Sequence, residues 1–151
     1  MRSPQLSFSR TVRAPQSEVW ALLTDTESWP VWGPTMSAVE CSDGVIKLGS
    51  TGRIRTPAGV WLPFEVTEFA PPPVGRWGWR VGPVAATTHR VGPDPHEPSS
   101  SIVSFDVPAW AAAYAPVCVT ALGRIGSMLG DPDLRPEDEA TAEPDGAERA
   151  G

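Results

Sequence analysis

Cysteine is scarce in this chain, with only Cys41 and Cys118 among 151 residues. Neither has a second cysteine or a histidine at ligand spacing, so no metal site is expected, and a reduced, buried pair fits the cytoplasm. Lysine is nearly absent as well: Lys47 stands alone against eleven arginines, with no basic stripe, which removes duplex nucleic acid as a partner. No uninterrupted apolar run reaches the roughly 18 residues of a membrane span. The opening MRSPQLSFSR has no apolar signal-peptide core, so the reading is a cytoplasmic protein without a membrane span. GxSxG, Walker-type loops, GxGxxG after a strand, HExxH and CxxC are all missing. Hydrolase, nucleotide-dependent and metal mechanisms lose their weight with them, and no cofactor is expected.

What the chain has instead is proline, glycine and tryptophan: 18, 14 and seven residues. Its charge is segregated. The formal −6 lies wholly beyond residue 130, where eight acids face two arginines, while residues 1–130 carry ten acids and ten bases. A segment rich in Pro, Ala, Asp and Glu cannot bury enough apolar surface to offset the entropy of ordering it. The expected organisation is one ligand-binding domain over 1–130 and a disordered acidic tail over 131–151.

Periodicity supplies the elements. Leu6, Phe8, Arg10 and Val12 alternate with Ser7, Ser9, Thr11 and Arg13 as a half-buried strand, which Ala14-Pro15 ends. Pro15 suits the first helical position, Glu18 meets the positive end of the helix dipole, and Val19, Leu22 and Leu23 form the helix's apolar face. Trp29-Pro30-Val31-Trp32-Gly33-Pro34 then reads as a rigid aromatic loop whose indoles anchor under a second short helix. Strands are expected near 6–13, 36–42, 49–56, 60–69, 75–82, 84–92 and 100–107, all after the first pairing as a meander, with a mobile loop over 92–101. From Trp110 to Leu129 apolar residues recur at helical spacing, and Pro116 should kink or divide that helix near 112–116.

The stretch FSRTVRAPQSEVWALLTDTESWPVWGP, followed by strand-like pieces around GSTGRI, PFEVTEFAPP, WGWRV and TTHRV, resembles the START-like, Bet v 1-type (SRPBCC) superfamily, in its bacterial polyketide cyclase/dehydrase-like branch, over about residues 6–130. The resemblance implies an α+β helix-grip fold: a curved antiparallel sheet of about seven strands around a long C-terminal helix, with one or two short helices after the first strand. It also implies a cavity between sheet and helix.

Strand parity suggests which side chains reach that cavity. Trp77 and Trp79 share a face with Val81, Val103 and Phe105 share one with Val107, and Phe64 and Val66 mark another. Trp61 joins Trp77 and Trp79 as a possible stacking wall, while Cys118 and Leu122 belong to the last helix's stripe. Placing Ala85, Thr87, His89 and Val91 inward makes His89 the one cavity histidine, His96 being solvated in its loop. His89 is the candidate general base or hydrogen-bonding group, Tyr114 a candidate hydroxyl at the mouth, Thr56 and Thr87 candidate positioning groups, and Glu68 a rim candidate. Arg53, Arg55, Glu65, Arg80, Ser104 and Asp106 make a solvated outer face. The implied function is binding of a small apolar or aromatic, lipid- or polyketide-like molecule. A cofactor-free polyketide cyclase/dehydratase is the alternative, and a protein-interaction module on the same fold the second.

Overall fold

A computed structural model describes residues 5–129, so the boundary at 130 and the acidic tail lie outside the described residues. Seven antiparallel strands form one sheet: β1 Gln5–Val12, β2 Ala38–Cys41, β3 Thr51–Arg55, β4 Trp61–Ala70, β5 Arg76–Val81, β6 Val84–Asp94 and β7 Glu97–Pro108. Their order, β1-β7-β6-β5-β4-β3-β2, is a meander from β2 to β7, with β1 added at the β7 edge so that Phe8 lies opposite Phe105. The helices are α1 Gln16–Thr24, the single turn α2 Trp29–Trp32 and the C-terminal α3 Ala115–Leu129, in the helix-grip arrangement.

Pro15 caps α1 from one residue outside it: its extended backbone leaves its carbonyl to accept from Glu18 N and Val19 N at 3.0 and 3.2 Å. Trp29-Pro30-Val31-Trp32 is itself helical, because Pro30 falls in a first turn where a missing N–H costs nothing. Before α3 the chain runs as a 3-10 segment, Ala109–Tyr114, broken at Ala111 (φ −99°, ψ 30°). Pro116 thus sits in the first turn of α3, and the division falls just ahead of it.

α3 buries Cys118, Ala121, Leu122, Ile125 and Gly126, packing chiefly on β1 and against α2. Gly126 permits the close approach, since a Cβ there would meet Arg10 Nε at 2.7 Å. Ala109–Leu129 is long and apolar enough to cross a membrane by length and composition, although glycines and polar residues interrupt its apolar run; here it covers the sheet. Gly75 has a stricter role: its φ is +68° and a Cβ would come within 2.2 Å of Val91 O, so the turn into β5 demands glycine.

Two expectations need correction. Residues 92–101 are not a loose loop but the tip of the β6–β7 hairpin, closed by His96 N donating to Asp94 Oδ1 at 2.9 Å and tied down by Ser101 Oγ donating to Ala14 O at 2.7 Å. The outer face is not uniformly solvated either. Ser104 and Asp106 are buried, with Asp106 accepting two bonds from Arg90 at 2.6 and 2.9 Å and another from the Ser7 hydroxyl. Burial alone would raise the Asp106 pKa, but the hydrogen bonds from Arg90 and Ser7, with the arginine charge, hold it below its ordinary value.

Candidate functional site

Because α3 leans toward β1, its N-terminal half, the 3-10 segment, α2 and the inner faces of β3 to β7 enclose a cavity of about 340 Å³. That is within the range of small-molecule sites. Its described lining is apolar and aromatic, relieved by His89, Thr35, Thr56, Thr87, Tyr114 and the thiol of Cys118, and among the described residues no Asp, Glu, Lys or Arg belongs to it. Among the described residues no group of three His, Cys, Asp or Glu side chains could hold a metal.

His89 stands at the inner end, 3 % exposed, opposite Trp77 in the β5–β6 pairing. Its ring stacks on the Trp77 indole (centroids 3.9 Å, 16° between planes), and Trp77 stacks in turn on Trp29 (5.4 Å, 9°). Phe105, Trp79 and Trp32 meet the imidazole edgewise with centroids 5.0, 6.0 and 6.2 Å away. Nδ1 lies 3.4 Å from Trp77 O. A carbonyl can only accept, so Nδ1 carries the hydrogen and Nε2 keeps its lone pair. Burial lowers the His89 pKa to about 3, with the Trp77 carbonyl and the Asp106 charge recovering only part of the loss, so the ring is neutral throughout the physiological range.

At the other end Tyr114 Oη and Thr35 Oγ1 share a hydrogen bond of 3.2 Å that ties the 3-10 segment to the turn after α2. Burial raises the Tyr114 pKa, leaving a neutral hydroxyl. Burial likewise pushes the Cys118 thiol up to about 11, far from nucleophilic thiolate character. Trp110 lines the mouth while 69 % exposed.

Of the residues singled out from sequence, His89, Tyr114, Trp79, Thr56, Thr87, Phe105 and Cys118 come together on this cavity. Phe64, Val66, Trp77, Val103 and Leu122 are buried but do not line it; they are the core that backs it. Trp61 is on the outer surface beneath Arg53, whose guanidinium carbon sits 4.3 Å above the ring. Its odd position on β4 opposes the even positions Leu62, Phe64 and Val66 that face inward. Glu68 should share their parity, but a register shift between Val66 and Glu68 turns it out to Arg76, at 2.8 Å, and brings Phe69 in against Trp20.

Sequence reasoning missed Trp29 and Trp32. They are not loop anchors: Trp29 is fully buried with its Nε1 donating to Leu23 O at 2.9 Å, and Trp32 forms part of the cavity wall. Their i, i+3 spacing places both indoles on one side of a single helical turn.

A family model described as "Polyketide cyclase / dehydrase and lipid transport" matches residues 3–128. No curated protein matches by sequence. Among solved structures, XoxI of Bacillus cereus superposes with a TM-score of 0.66 at 14 % identity, over 87 % of this chain and 99 % of that one. The Aha1 dimer of Colwellia psychrerythraea gives 0.62 at 14 %, over 83 % and 96 %. A Deinococcus radiodurans protein gives 0.60 at 19 %, over 82 % and 95 %. At such identities the likeness is one of fold.

Proposed function

The chain belongs to the polyketide cyclase/dehydrase and lipid transport family, and from that premise we propose that it binds a small apolar or aromatic molecule between its sheet and α3. The observation carrying this reading is the cavity itself: about 340 Å³, walled by rings and small aliphatic side chains, with no charged group among the described residues of its lining. Filling it removes apolar surface from water on both partners, which favours binding by roughly 25 cal/mol per Å² before the cost of association. A cytoplasmic location goes with this reading, as does the 1–130 domain as the binding unit with the acidic tail as a solubilising extension.

The binding test uses a panel of fatty acids, sterols, flavonoids and polyketide mimics, read by tryptophan fluorescence and thermal midpoint. At least one ring-bearing class should quench the fluorescence and raise the midpoint. A panel without effect would remove the reading and shift weight to a protein-interaction module.

Cofactor-free cyclisation or dehydration is the second reading, favoured by the family description and by a histidine inside the cavity. Its weakness is acid–base strength: a ring of pKa about 3 is a poor base at neutral pH. Were His89 the proton shuttle, His89→Ala would lower turnover of a poly-β-keto substrate by about 10²- to 10⁴-fold with binding intact. In a binding protein the same change weakens affinity by about the 0.5–1.5 kcal/mol of one neutral hydrogen bond.

A further inference from the structure

The cavity's polarity selects among apolar ligands. With Nδ1 held by the Trp77 carbonyl, His89 has Nε2 left for a ligand, as an acceptor. Trp32 and Trp79, whose rings meet His89 edgewise and line the same cavity, each carry a buried indole N–H with no hydrogen-bond partner. Such a donor left unpaired away from water is costly, and uncommon in folded proteins. The ring cluster around His89 therefore holds a lone pair without a donor beside buried N–H groups without an acceptor.

A neutral hydroxyl supplies both from a single oxygen. An ether oxygen can answer only the indoles. A carboxylate has no hydrogen for Nε2 and brings a charge into a lining that holds no cation among the described residues, which is strongly disfavoured. We propose that the site selects an uncharged, ring-bearing ligand through a hydroxyl, phenolic or enolic, that donates to His89 Nε2 and accepts from the indole N–H of Trp32 or Trp79. This rests on the cavity-binding reading above and assigns His89 as its specificity-determining residue. The neutral state of the imidazole agrees with it, since a doubly protonated ring would offer no acceptor.

The test is calorimetric titration of the full chain at pH 7.5 with 2-naphthol, 2-methoxynaphthalene and 2-naphthoate, which share a ring system and differ in the polar group. 2-Naphthol should bind about 3- to 10-fold tighter than the methyl ether, with naphthoate weakest. In His89→Phe, which keeps a flat ring against Trp77, the naphthol-to-ether ratio should fall to about 1. Should that variant fail to fold, ¹⁵N NMR of the natural chain decides: Nδ1 should carry the hydrogen, and the Nε2 resonance should move with 2-naphthol but not with the ether. Equal affinity of naphthol and ether, tighter binding of naphthoate, or a proton on Nε2 would overturn this inference while leaving the cavity reading in place. If none of the three compounds binds, the inference falls, and the cavity reading falls with it when the broader panel is also without effect.

Discussion

Acidification should destabilise this protein well above the pH at which its carboxylates protonate, and His89 should be the cause. The unfolded chain takes up a proton on this histidine near pH 6.5, whereas the folded site resists until about pH 3. Between those limits the unfolded state binds one more proton than the native state, so stability rises with pH and is lost as pH falls. The full stability is present above about 6.5, and each pH unit below it costs up to about 1.4 kcal/mol. Going from pH 6.5 to 4.5 should therefore cost up to about 2.7 kcal/mol. Attraction between an imidazolium and the faces of Trp77 and its neighbours can return ~1 kcal/mol or so, which places the expected loss near 2 kcal/mol. For a chain of this length that corresponds to a thermal midpoint about 4–8 °C lower. Asp43 and Asp106 do not confuse the window, because both are held below the ordinary carboxylate pKa of 3.8 and their contributions are lost only below it. The assay is urea unfolding at half-unit pH steps for the natural chain and for His89→Phe. The variant's stability should be markedly flatter between pH 4.5 and 6.5. Parallel curves for the two proteins would refute the argument, showing that His89 accepts a proton in the folded state as readily as in the unfolded one.

Trp29→Ala should be among the most damaging single changes to the core, costing about 3–5 kcal/mol in urea unfolding, because it removes the indole stacked on Trp77 and in ring contact with Phe64 and Trp79. A cost below about 1 kcal/mol would mean that the α2 turn does not close the core. Two of the ion pairs on the outer face of the sheet should behave unequally. Glu65→Gln, at the exposed pair with Arg80, should change stability by less than about 0.5 kcal/mol. Asp106→Asn should cost about 1–2 kcal/mol, since its carboxylate is 9 % exposed and accepts from Ser7 and Arg90 together, although the 39 % exposure of Arg90 softens the loss. Equal effects at the two sites would show that burial of Asp106 adds nothing.

The fold was legible because each strand obeys one local rule. Alternation of apolar and polar residues in 6–13, 75–82 and 100–107 reports which side of a sheet is covered, and the short connections leave little choice but a meander. The same rule failed where the ladder is interrupted. At Val66/Glu68 an extra residue reverses the parity, so Glu68 left the rim and Phe69 entered the core, and nothing in TEF marks that bulge. The acidic tail and the boundary at residue 130 remain sequence-based, lying outside the described residues.

The site was less legible, for a different reason. Alternation identifies an inward face but not whether that face meets packing atoms or a void; that is decided by where α3 crosses the sheet. Trp77 and Trp79 are equivalent by pattern, yet Trp29 covers Trp77 while Trp79 lines the cavity. The difference comes from a four-residue helix whose composition, two tryptophans around Pro-Val, carries no periodicity long enough to orient it. That turn also sets the chemistry. Trp29 backs Trp77, and Trp77 provides both the ring beneath His89 and the carbonyl that takes its Nδ1 hydrogen. The acceptor that His89 would offer a ligand is thus fixed by backbone and stacking rather than by a neighbouring acid. It follows that substitutions at Trp29 should shift the ligand preference of the cavity through His89, without Trp29 itself touching what the cavity holds.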